Sequence, residues 1–218
     1  MTIQKEDFIK HLFSLGGDDH LISNKEIAAS LQISSASVTE MLGKLEKEGL
    51  ALYTPYKGSC LSEKGIRIAT SLIRSHRLWE VFLTKHLGYG WEDIHEVAEK
   101  LEHATDEDLA MRLESFLGYP EHCPHGDSIP PHNGILSMQN GYFSLATADK
   151  HIAVVIRKVQ QEKNLLEYLA VQNLHLGAQL TILEKKPYEG ELLLRMDART
   201  LSVSYKAASK IFVERQET

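Results

Sequence analysis

Apolar residues recur along this chain with two periods, and the change from one to the other marks its organisation. Through residue 117 the recurrence is helical. Residues 4–15 place Phe8, Ile9, Leu12, Phe13 and Leu15 on one face, with Asp7 in the first turn and away from most of that face. Gly16-Gly17-Asp18-Asp19 ends this helix. Ser23 and Glu26 then fit a capping box that opens a second helix with Ile27, Ala28 and Leu31 inside. After a turn at Ile33-Ser34, a third helix over 35–48 buries Val38, Met41, Leu42 and Leu45 and stops at Gly49. Residues 50–53 and 59–61 read as two strands around Pro55-Tyr56-Lys57-Gly58. A long helix covers about 63–86, and two shorter ones cover about 91–102 and 106–117, the last with Leu109, Leu113, Phe116 and Leu117 inside. Residues 118–141, rich in Pro, Gly and His, form a connection. Beyond it the period shortens to short β-like runs at 152–159, 179–184, 191–196 and 200–204. A helical stretch at 164–172 interrupts them, and residues 207–213 close with a turn and strand. The pattern predicts a mainly α protein with a small β barrel at its end. Its parts are 1–62, 63–140 and 141–218.

A short helix, a tight turn and a third helix opening on small hydroxylated residues predict a helix-turn-helix, and the hairpin behind it predicts a wing. Small side chains let such a helix approach base edges and phosphates. The candidate DNA contacts are Ser34, Ser35, Ser37, Thr39, Glu40 and Lys44, with Lys57 at the wing tip. A plain three-helix protein-binding domain is the rival reading. The wing and the Ser/Thr-rich helix start favour DNA. The middle helices have no sheet of their own to pack on, so self-association through their faces is expected.

Charge changes this picture. The net charge of -6 looks wrong for a nucleic-acid binder. By segment, residues 1–77 carry ten Lys/Arg against nine Asp/Glu, residues 78–145 three against twelve, and residues 146–218 eleven against nine. The acid sits in the middle, where seven of the eleven histidines also fall, between His76 and His132. In DIHEVAEKLEH, His95, Glu99, Glu102 and His103 stand at i, i+4, i+7 and i+8 and share one helix face. His76 and Glu80 stand at i, i+4 in SHRLWE, and Cys123-Pro124-His125 adds a thiol and an imidazole. A solvated acidic face would account for one such pair. Three clusters beside a DNA-binding pattern point to divalent first-row metal. Nothing resembles His-Glu-x-x-His, so a metallohydrolase is disfavoured and no catalytic residue is assigned. No apolar run is long enough to span a bilayer, no signal core opens the chain, and its two cysteines make no disulfide framework, so a cytoplasmic protein is expected.

The order winged helix, HRLWE, DIHEVAEKLEH, CPHG and small barrel resembles the diphtheria-toxin-repressor family of metal-dependent transcriptional repressors along essentially the whole chain. It is most similar to the streptococcal-type, manganese-responsive members. The resemblance implies a winged-helix domain, a helical dimerisation domain and a C-terminal SH3-like (FeoA-like) domain. It implies a homodimer on palindromic operator DNA, with one or two dimers per operator. Carried over by motif, a primary metal site would use Asp7, Glu99, Glu102 and His103. A second would use His76, Glu80, Cys123 and His125, with His95 as a further candidate and Gln160, Gln161 or Glu162 as a third-domain ligand. Iron-type members carry Met and Cys where Asp7 and Glu99 stand. Oxygen donors here suit Mn²⁺, with Fe²⁺ as the alternative, and Zn²⁺ would compete at Cys123 in vitro. Short members with paired-ion sites place a Glu three residues after the aspartate. Lys10 stands there, so that paired site is not carried over. A metal-independent DNA-binding protein with a structural zinc is the remaining rival.

Overall fold

The computed structural model describes residues 1–132 and 141–216. Residues 133–140 of the expected connection lie outside the described residues. The chain divides into two compact units, one built on Met1–His76 with Glu99–Phe116, the other on Arg77–Ala98 with Leu117–Ile129 and the C-terminal segment.

In the first unit, helices α1 (Ile3–Ser14), α2 (Asn24–Leu31) and α3 (Ser35–Lys47) precede a hairpin of β1 (Ala51–Thr54) and β2 (Gly58–Leu61). The expected capping box forms in full. Ser23 Oγ accepts from the Glu26 N–H, and the Glu26 carboxylate accepts from the Ser23 N–H at 3.0 Å. Such a cap stabilises a helix start by about 1 kcal/mol. Gln32 then takes a left-handed φ of 55° and ends α2. Ile22 bridges Ser59, tying the wing to the turn before α2. Gly58 makes that contact possible, because a Cβ there would lie 2.3 Å from the Ile22 carbonyl oxygen. Phe8, Ile9, Leu12 and Phe13 of α1 pack with Ile27, Val38, Leu42, Leu45, Leu50 and Leu61 in one core. Each such aliphatic side chain contributes about 1.5–3 kcal/mol when buried.

Helix α4 (Glu63–Leu87) begins in this unit, and α5 (Ile94–Glu102) ends in it, followed by α6 (Glu107–Phe116). Arg74 of α4, 4 % exposed, pairs with Glu114 of α6 at 2.6 Å. On α6 only Ala110 and Leu113 are buried. Leu109 and Phe116, expected inside, are 40 % and 64 % exposed. The spacing that predicts their burial marks a shared apolar face but not how much of it is covered.

In the second unit, α5 starts at Ile94 rather than near Trp91, because Asp93 N–H bonds to the Gly90 carbonyl and closes a turn. The C-terminal part holds β3 (Phe143–Ser144), β4 (Ala153–Val159), α7 (Lys163–Val171), β5 (Gln179–Lys185), β6 (Leu192–Met196), β7 (Arg199–Val203), α8 (Tyr205–Ala208) and β8 (Ile211–Arg215). Its six strands form one antiparallel sheet in the order β3-β8-β4-β5-β6-β7, an SH3-like arrangement. Bulges at Ile156/Lys158 and Ile182/Glu184 bend two central strands. The first explains why Val154, Ile156 and Val159 are buried with a break in their alternation. Leu165, Leu166 and Leu169 of α7 close the core over the sheet. Among the described residues no helix is long and apolar enough to cross a membrane.

Candidate metal centres

The first donor set lies within the first unit. Asp7 comes from α1, Glu99 and Glu102 from the last turn of α5, and His103 follows directly. One ligand atom of each lies within 4.8 Å of the others. The helical spacing of the last three brings them to one side of α5, and the packing of α1 brings Asp7 to them. His95, expected on the same face, is exposed and belongs to the second unit, so it takes no part here.

His103 is oriented by a residue the sequence did not mark. Its Nδ1 lies 2.7 Å from Glu6 Oε2. With Nδ1–H donated to Glu6, the neutral ring presents the Nε2 lone pair, the carboxylate–imidazole arrangement that fixes a metal ligand. Nε2 stands 2.9 Å from Asp7 Oδ1, and neither buried atom has a hydrogen-bond partner. In that tautomer each atom turns a lone pair toward the other, and a shared cation satisfies both. Burial raises the Asp7 pKa, aided by the Glu99 and Glu102 carboxylates and opposed by Lys10 and, when its ring is protonated, by His103. Glu102 is 1 % exposed. Its Oε2 lies 2.5 Å from His76 Nδ1, and its Oε1 2.5 Å from Lys10 Nζ, which also reaches Glu99 Oε2 at 2.9 Å. His76 is thus engaged with the primary donor set, a contact its position in SHRLWE did not announce. Three carboxylates and one imidazole form a hard donor set that fits a divalent ion such as Mn²⁺ or Fe²⁺.

The second donor set lies within the second unit. Glu80, Cys123 and His125 are all buried, with ligand atoms within 4.8 Å of one another. His125 Nε2 donates to the Trp91 carbonyl at 2.8 Å, which turns Nδ1 toward Glu80 Oε1 at 3.3 Å. The Trp91 ring stacks on the imidazole. The loop that carries Cys123 and His125 is pinned at both ends. Cys123 exchanges backbone bonds with Gly126 and Asp127, and the Val159 N–H of β4 donates to the His125 carbonyl. Gly126 has φ +88°, and a Cβ there would meet the Arg157 carbonyl oxygen at 1.9 Å. Burial pushes the Cys123 thiol pKa well up, reinforced by the Glu80 and Asp127 charges. For His125, burial works downward, but the Glu80 bond and charge outweigh it and the pKa is raised. A thiolate, an imidazole and a carboxylate suit Zn²⁺ as well as softer first-row ions. His76 sits one turn before Glu80 on α4, within the first unit. Gln160 is exposed and binds Lys210 through its backbone, whereas Gln161 lines a small recess with Glu92, Asp93, His95, Glu96 and Lys163.

On the α3 surface, Ser34 is committed as the N-cap, its Oγ accepting from the Ser37 N–H. Thr39 donates to the Ser35 carbonyl and accepts from Asn24. Ser35, Ser37, Glu40 and Lys44 are exposed, the last two paired at 2.7 Å, and Lys57 is exposed beside the fully exposed Tyr56.

Three family descriptions match nearly the whole chain: "Iron dependent repressor, N-terminal DNA binding domain" over residues 1–59, "Iron dependent repressor, metal binding and dimerisation domain" over 62–131, and "FeoA domain" over 143–215. The solved structure of the manganese regulator SloR is 38 % identical, covers 99 % of this chain and all of its own, and superposes with a TM-score of 0.78. A manganese-dependent transcriptional repressor in complex with manganese is 27 % identical, covers 97 % of this chain and all of its own, with a TM-score of 0.85. The iron-dependent repressor IdeR of Mycobacterium tuberculosis is 26 % identical over 96 % of each chain. By sequence and by fold, the chain belongs to the iron-dependent repressor family of metal-dependent, DNA-binding transcriptional regulators.

Proposed function

We propose that this protein is a Mn²⁺-activated repressor of manganese and iron uptake genes that binds palindromic operators as a homodimer in the cytoplasm. The observation that carries this reading is the meeting of Asp7, from the DNA-binding segment, with Glu99, Glu102 and His103, from the metal-binding and dimerisation segment. Three functional modules, 1–62, 63–140 and 141–218, fit this division of labour. Asp7, Glu99, Glu102 and His103 are the proposed primary ligands. Glu80, Cys123 and His125 are the proposed core of a second site, with His76, His95 and a side chain from Gln160–Glu162 as candidates to complete it.

A bound divalent ion supplies twofold positive charge where the primary donors converge. Asp7 then fixes α1, and through the shared core it fixes the pose of α3. Glu99, Glu102 and His103 fix the end of α5. Glu6 holds His103 in the ligating tautomer. Locking α1 to α5 sets the spacing of two recognition helices across a dimer, which half-site spacing demands. Ser35, Ser37, Glu40, Lys44 and Lys57 are exposed for the DNA, whereas Ser34 and Thr39 act mainly by shaping α3. The exposed Leu109, Met111 and Phe116 of α6 support a dimer face. One or two dimers per operator are both compatible with this design.

Three carboxylates favour Mn²⁺, and Fe²⁺ is the alternative in keeping with IdeR. A second reading, metal-independent DNA binding with a structural zinc, draws on the buried Glu80–Cys123–His125 set. An anisotropy titration on an inverted-repeat fragment at fixed salt separates the two. We expect tight binding only with Mn²⁺ or Fe²⁺. Asp7→Ala or Glu99→Ala should each weaken it by about 5–150-fold, the usual span of a coupling between two ligands. Equal binding in chelator would refute metal activation.

A further inference from the structure

We propose that Lys10 is the built-in cation of the primary metal centre: its ammonium compensates Glu99 and Glu102 in the metal-free protein and must leave when a divalent ion binds, so it sets the ion concentration to which the protein responds. This inference rests on the metal-activated reading above. Lys10 Nζ bridges two of the four proposed ligands, at 2.9 Å from Glu99 Oε2 and 2.5 Å from Glu102 Oε1. It lies three residues after Asp7 on α1, one helical turn away, so both side chains reach the end of α5 from one face.

Burial makes the contact more than a surface pair. The Glu102 side chain is fully buried and that of Lys10 only 19 % exposed. A carboxylate so deeply placed needs a compensating charge or donor on each oxygen. Lys10 serves one oxygen and His76 the other. An ion drawing on Oε1 would share that oxygen with an ammonium 2.5 Å away, so two like charges compete for one carboxylate. Of the two partners of Glu102, Lys10 is the one able to leave. It stands on a flexible four-carbon stem with a strongly hydrated head, whereas His76 is 6 % exposed within α4. Lys10 also carries the charge that most opposes a second cation at the same carboxylates. Its departure is therefore part of the free energy of ion binding, and the ion's apparent affinity is lowered by the strength of the pairing it displaces.

Calorimetric titration of Mn²⁺ into the full-length protein tests this, following the binding step that Glu99→Ala abolishes, together with the melting temperature of the metal-free protein. Lys10→Met should tighten that step by roughly tenfold, the scale of a partly desolvated ion pair, and lower the metal-free melting temperature. Lys10→Arg keeps the charge and adds a planar fork that grips carboxylates in pairs, so it should weaken the step severalfold. Unchanged or weaker binding in Lys10→Met overturns the proposal, since Lys10 would then be a bystander or a support retained in the loaded state. If Lys10→Met does not fold, unchanged or tighter binding in Lys10→Arg overturns it instead. A wild-type protein with no Glu99-dependent step would sink the metal-activated reading, and Lys10 with it. A normal wild-type step with no gain in Lys10→Met removes only the role of Lys10.

Discussion

Cys123 shows how far a single residue's behaviour depends on what surrounds it. In the sequence it offers a candidate thiol ligand beside His125, and buried beside Glu80 and Asp127 that thiol holds its proton well above the ordinary range. Only the thiolate ligates metal, so an ion entering this set must displace that proton. The direction follows: below the raised thiol pKa, affinity rises with pH. Zinc binding to this centre should tighten by at least about tenfold per pH unit between about pH 6.5 and 8, one proton coming from the thiol and a second from His125 wherever its raised pKa keeps it charged. Cys123→Ser should lower the slope by about one proton, leaving the contribution of His125; a variant that keeps the full slope would assign the thiol's proton elsewhere. That these side chains gather on one face was legible, because Glu99, Glu102 and His103 fall at helical spacing in one short segment. Their partners were not. Glu6 stands 97 residues from His103 and Lys10 stands 92 from Glu102, and only tertiary packing of α1 brings them together.

At the scale of elements, the legible parts were those with long periodic faces or explicit stop signals. The α2 capping box and the α3 core face rest on local chemistry that the fold keeps. Two readings failed for nonlocal reasons. The start of α5 moved because a turn at Gly90–Asp93 satisfies the backbone first, and Leu109 and Phe116 are exposed because helical spacing marks an apolar face without fixing how much of it tertiary packing buries. The Phe143–Ser144 strand was too short to show a period. The Cys123–Gly126 loop behaves as an element too, since β4 fixes it through backbone contacts. Gly126→Ala would force a Cβ against the Arg157 carbonyl at a left-handed φ. We expect a stability loss of about 1–3 kcal/mol and at least tenfold weaker zinc binding at Cys123. Wild-type zinc affinity in this variant would show that the loop tolerates displacement from β4.

For the whole molecule, the placement of the two donor sets predicts separable losses. All four primary donors, with Glu6, Lys10 and His76, come from residues 1–103, whereas the loop of the second set leans on Arg157 and Val159. A chain ending at residue 141 should keep Glu99-dependent Mn²⁺ binding within about threefold, while zinc binding at Cys123 falls at least tenfold for want of its support. Equal losses at both sites, followed by calorimetry, would argue against this independence. Lys10 adds one consequence for how such a regulator can change over generations. The donor atoms decide which element is sensed, and the lysine beside them decides how much. A substitution at one codon that touches no ligand could then retune the set point to a new habitat while the identity of the signal stays the same.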